Sequence, residues 1–163
     1  LDFVDERHGV RHGHGNPMRR AAEQPHVSGL TQVGIRNVSS TAQEGYAAAR
    51  EMGSDILSVR QARALGPAGV AARVPAGARV YLTIDIDGFC PSIAPGTGTP
   101  SHGGFLYYEV LEMLQIVARE HEIAGIDLVE VAPDHDAGQV TSILAAQLLL
   151  NVLGFIFHAR GAR

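Results

Sequence analysis

Asp85 and Asp87 stand two positions apart at the end of the apolar run Val80-Tyr81-Leu82-Thr83-Ile84. Successive side chains on an extended chain point to opposite faces, so the spacing predicts two carboxylates on one side of a strand end. Like charges held there need compensation, and a shared divalent cation supplies it through hard oxygen donors. Imidazole mixed with carboxylate shifts the preference toward manganese, zinc or iron. A pair of such metals generates hydroxide near neutral pH and orients it for hydrolysis. The stretch that follows, Pro91 and then Ala94-Pro95-Gly96-Thr97-Gly98-Thr99-Pro100, suits neither helix nor regular strand and must wrap over something.

The elements that would position these groups alternate in type. Asn16-Pro17 opens a helix running to Glu23, with proline in its first turn. Thr31 to Arg36 is a short strand, Thr41 to Met52 an alanine-rich helix stopped by Gly53, and Asp55 to Val59 another strand. A helix from Ser58 to Leu65 is expected to stop at Gly66-Pro67. Arg79 to Asp87 is the strongest strand. Leu106 to Glu120 has helical apolar spacing, Ile123 to Val131 is a strand, 132 to 138 a loop, and Val140 to His158 a long apolar helix. Alternation of short strands with helices predicts βαβ units: an α/β protein in one domain, with a parallel sheet covered by helices. Ligands of such sheets bind outside the carboxyl ends of the strands. Asp2, Asp85, Asp87 and Glu130 all fall at or just past those predicted ends. Asp134 and Asp136, in the polar loop, are expected to be solvated.

Composition narrows the classes. The 163 residues carry a net charge of −4 without a basic run, which argues against nucleic acid. The longest apolar stretch, around Ile143 to Leu153, is broken by Gln147 and Asn151, so no membrane association is expected. One cysteine, Cys90, excludes an internal disulfide and suits a reducing, cytoplasmic location.

The segment from Asp85 to Gly104 resembles a signature of the ureohydrolase family, which includes arginase, agmatinase, guanidinobutyrase and proclavaminate amidinohydrolase. Leu1-Asp2 resembles the end of that family's D-x-H-x-D motif, His14-Gly15-Asn16-Pro17-Met18-Arg19-Arg20 its histidine loop, Gly34-Ile35-Arg36 one of its strands, and Asp127 to Pro133 its late strand. The resemblance implies a three-layer α/β/α fold of the arginase/deacetylase kind with a mainly parallel sheet, here without its N-terminal strands. It implies two Mn2+ ions in the complete site, with Asp2, Asp85 and Asp87 as ligands. His14 would shuttle a proton to the leaving amine, Glu130 would pair with the substrate guanidinium, and Thr99 would line the site beside it. The implied reaction hydrolyses a guanidino group of agmatine or a related small compound to urea and an amine. The implied assembly is a homo-oligomer, trimer or hexamer.

Three further family ligands would precede Leu1, so the chain reads as a C-terminal portion. Phe89-Cys90-Pro91 replaces the family's usual Leu-Asp-Pro. Ser39 stands where the arginase branch carries a carboxylate for the substrate α-amino group, which favours agmatine or an ω-guanidino acid over L-arginine. Two other readings stay open: a formimidoylglutamase-type C–N hydrolase, and a non-catalytic homologue acting as a subunit or interaction module.

Overall fold

The computed structural model describes residues 1–36 and 41–161. Ser39 lies outside the described residues. The chain forms two compact units, 1–58 and 59–163.

The first unit is a loop, a short helix and a parallel βαβ turn of chain. Helix α1 (Pro17–Ala22) starts with proline at its first position, where the missing N–H costs nothing. Strand β1 (Leu30–Ile35) pairs in parallel with β2 (Ser54–Ser58), and helix α2 (Gln43–Glu51) connects them. Gly53 ends α2 with φ 84, a left-handed conformation that glycine adopts without steric cost.

In the second unit, β3 (Arg79–Asp85) pairs in parallel with β4 (Glu122–Val129), so that Asp85 stands opposite Val129. Both strand pairings are therefore parallel, as the alternation predicts. Val80, Leu82 and Ile84 point into the core, where Ile123, Ile126 and Leu128 of β4 meet them. Helices α4 (Tyr107–Glu120) and α5 (Val140–Gly161) cover that face with Leu114, Val117, Leu148 and Val152. Each such side chain withdrawn from water contributes about 1.5–3 kcal/mol. The opposite face carries Tyr81 and Thr83, both hydrogen-bonded to the Asp127 carboxylate at 3.0 and 2.7 Å.

Helix α3 (Val59–Ala71) consists of two helical runs: the first stops at Gly66-Pro67 as expected, because Gly66 has φ 69 and ψ 171, and Pro67 starts the second. Arg63 of α3 clamps Glu109 of α4 at 2.7 and 3.1 Å. The segment after β4 contains two 3-10 turns, Pro133–His135 and Ala137–Gln139. By length and composition α5 is long and apolar enough to cross a membrane, contrary to the reading of a broken stretch. One of its faces is buried in the core through Thr141, Leu144, Leu148, Val152 and Ile156.

Candidate active site

Strand β3 ends at Asp85, and Ile86–Gly88 is a 3-10 turn. The expected two-residue strand alternation therefore does not reach Asp87. Asp85 has extended backbone, and its Oδ1 accepts the Asp87 amide at 3.0 Å. That local bond replaces the next rung of the ladder, as a short carboxylate side chain readily does. The turn, rather than the pleat, sets the relation between the two acids. Both are half-buried. Ile86 and Phe89, on either side of Asp87, are sunk in the core and pin the turn.

The loop 94–100 returns over this turn. Thr99 Oγ1 donates to Asp87 Oδ2 at 3.0 Å. Cys90 and Phe105 frame the loop: Cys90 N donates to the Phe105 carbonyl at 2.9 Å, and Phe105 N to the Gly88 carbonyl at 3.0 Å. A Cβ at Gly104 would stand 2.5 Å from the Phe89 carbonyl carbon, so this crossing has room for no side chain. Cys90 is half-buried there.

Glu130 follows β4 directly, at φ 66. A left-handed conformation is uncommon outside glycine, and costs about 1–2 kcal/mol for a residue with a Cβ. Such a residue persists where its surroundings over-determine it, and these positions cluster at functional sites. Here the surroundings are the loop itself. Thr97 bridges Val131, and Ala132 N donates to the Gly96 carbonyl at 2.8 Å. Asp85, Asp87 and Thr99 are thus joined by hydrogen bonds within the second unit, and Glu130 lies in the chain between Val129, which stands opposite Asp85, and Val131, which bridges Thr97.

Asp2 and His14 belong to the first unit. Asp2 has φ 50, and its carbonyl accepts from Met18 N at 3.2 Å. His14 is exposed on a loop that buried Asn16 organises. Asn16 Oδ1 accepts from Gly13 N at 2.8 Å, and its Nδ2 donates to the Val4 carbonyl at 2.7 Å. Val4 N closes the loop on the Gly15 carbonyl at 2.9 Å. Arg20 and Arg11 reach Asp5 at 2.6 and 3.1 Å beside it, and Arg20 foremost holds that carboxyl below its usual range.

Sequence reasoning missed Asp136. It is buried at 5 % exposure rather than solvated. Its Oδ1 accepts from Thr141 N at 2.9 Å, and its Oδ2 from Ser142 N and Ser142 Oγ at 2.8 and 2.7 Å. Burial would raise this carboxyl, but the Ser142 and Thr141 amides outweigh it and lower the group from 3.8 to about 2. The available signal was an Asp shortly before Thr-Ser at the head of an apolar helix, a helix-start pattern stretched by the intervening 3-10 turn.

The carboxylates of Asp85 and Asp87 are hard donors of the kind a divalent manganese or magnesium ion takes. Their orienting bonds from the Asp87 amide and the Thr99 hydroxyl are those expected behind metal ligands. Among the described residues, however, no group of three or more His, Cys, Asp or Glu side chains could hold a metal ion. The donors fit such an ion in kind but do not complete its shell.

The sequence model of the Arginase family matches residues 1–154. The chain belongs to the arginase family. It is 36% identical over 146 residues to the proclavaminate amidinohydrolase of Streptomyces clavuligerus, covering 86% of this chain and 46% of that protein. The solved structure of that enzyme superposes with a TM-score of 0.88 at 32% identity, over 97% of this chain and 54% of that one. The agmatinase of Bacillus subtilis is 37% identical over 145 residues, 88% of this chain and 48% of that protein. The guanidinobutyrase of Pseudomonas aeruginosa is 34% identical over 157 residues, 93% and 49% respectively. This arginase-family chain therefore has the arginase/agmatinase fold over the part it covers. It spans about half the length of the curated relatives it matches.

Proposed function

We propose that the complete protein is a manganese-dependent amidinohydrolase that cleaves a guanidino group of agmatine or a related guanidino compound into urea and an amine. The observation that carries this reading is the linked assembly of Asp85, Asp87 and Thr99, with Glu130 held beside it in a left-handed conformation. In this reading Asp2, Asp85 and Asp87 contribute ligands to two manganese ions, which supply hydroxide near neutral pH when bound. The carboxylate of Glu130 receives the planar guanidinium, a cation that two parallel hydrogen bonds fit well. Thr99 keeps Asp87 oriented from the loop that borders the same space. His14, on a loop fixed by Asn16, carries a proton to the departing amine. Ser39, uncharged where an α-amino group would need a carboxylate, favours a substrate without that group. A cytoplasmic trimer or hexamer completes the proposal.

The test is urea release in the presence of Mn2+ from agmatine, 4-guanidinobutyrate and L-arginine, with Asp85→Ala as control. Release from agmatine or 4-guanidinobutyrate that the control abolishes supports the reading. Preference for L-arginine would overturn the substrate assignment. No urea from any of the three would favour a non-catalytic role for this chain.

A further inference from the structure

The Asp136 carboxylate does more than begin a helix. It collects three donors from the first turn of α5, and one of the residues it fixes is Thr141, which has no solvent exposure. With its amide held by Asp136, Thr141 turns its own Oγ1 to accept the Gly96 amide at 2.7 Å. The Gly96 carbonyl is taken from the other side by Ala132 N at 2.8 Å. A Cβ built on Gly96 would stand 2.5 Å from Asp136 Cβ and 2.8 Å from its Oδ1, so the loop backbone rests directly on this side chain. Gly96 is therefore gripped on both polar groups and on its bare face. Three residues further on, Thr99 reaches Asp87.

We infer that Asp136 is a positioning residue for the proposed site: through Thr141 and Gly96 it fixes the loop from which Thr99 holds the Asp87 carboxylate. Its catalytic consequence rests on the amidinohydrolase reading; the clamp itself does not. Capping and positioning are separable, because Thr141 offers its amide to Asp136 and its hydroxyl to Gly96. Thr141→Val removes only the hydroxyl and leaves α5 capped. Thr141→Ser restores it.

The experiment follows amide hydrogen exchange in this chain, wild type beside Asp136→Asn, Thr141→Val and Thr141→Ser, together with kcat and KM for urea release by the complete protein carrying the same substitutions. The expected result is Gly96 exchange about five- to tenfold faster in Asp136→Asn and Thr141→Val, the scale of one lost hydrogen bond. Ile84 and Leu128 in the strand ladder should keep wild-type exchange, and Thr141→Ser should return Gly96 to it. In parallel, kcat should fall in the first two variants while KM holds. Unchanged Gly96 exchange, an equal rise at Ile84 and Leu128, or no recovery in Thr141→Ser would overturn the clamp. Faster Gly96 exchange with unchanged kcat in a urea-releasing wild type would overturn its catalytic role. If the complete protein releases no urea, the amidinohydrolase reading fails while the exchange pattern alone upholds or overturns the clamp.

Discussion

The Thr99 hydroxyl donates to Asp87 Oδ2 at 3.0 Å from a loop that has turned back over the end of β3. A carboxylate rotates about two bonds, and a fixed donor on one oxygen selects one orientation for the other. Thr99→Val should therefore weaken Mn2+ binding or urea release by about ten- to a hundredfold, the usual effect of losing a partner behind a metal ligand. Thr99→Ser, which keeps the hydroxyl, should retain most of both. Titration with Mn2+ followed by electron paramagnetic resonance checks the binding arm. Equal behaviour of the valine and serine variants would sink the idea.

Thr97 predicts the opposite sign. It is 4 % exposed, and its Oγ1 has no hydrogen-bond partner among the described residues. A buried hydroxyl without a partner forfeits its hydration for nothing. Thr97→Val should leave stability unchanged or raise it by up to about 1 kcal/mol. The midpoint of chemical unfolding reads this directly, and a loss of stability would show that the hydroxyl has a partner after all.

Acid should act through Asp136. Its folded carboxyl is lowered from 3.8 to about 2. A depressed carboxyl contributes stability that is fully present above its unfolded value and is lost as pH falls through its folded one. Wild type should therefore exceed Asp136→Asn in stability by a constant margin above about pH 4, and the margin should close as pH falls toward 2. Unfolding midpoints of the two proteins across that range check it. A margin that persisted at pH 2 would point to shape rather than charge.

Asn16 holds the His14 loop through the Gly13 amide and the Val4 carbonyl. Asn16→Ala would leave both groups without this partner at a buried position. It should cost about 2 kcal/mol and speed exchange at Gly13 far more than in the β1–β2 pairing. Uniform acceleration across both would argue that Asn16 supports the whole unit instead.

The sequence made the strand elements and the acidic residues at their ends legible because apolar runs of strand length bounded by glycine and proline have few other uses. It misplaced Asp87, because alternation is a property of the ladder and the ladder ends one rung earlier. The Asp85 side chain captured the Asp87 amide, and spacing alone does not show such a local bond. Gly66-Pro67 was legible as a stop, but Pro67 also opens a second helical run, which the punctuation alone does not announce. Asp136 was invisible because its donors lie five and six residues ahead, past a 3-10 turn that no periodicity announces.

Glu130 adopts φ 66 immediately after β4. Glycine would occupy that conformation without the penalty of about 1–2 kcal/mol that a side chain incurs there. Selection for heat resistance alone should thus drift toward Glu130→Gly, while selection for turnover on a guanidino substrate should hold the carboxylate in place. If Glu130 receives the guanidinium as proposed, the two pressures pull one residue in opposite directions, and the most durable and the most active forms of the complete protein would be different sequences.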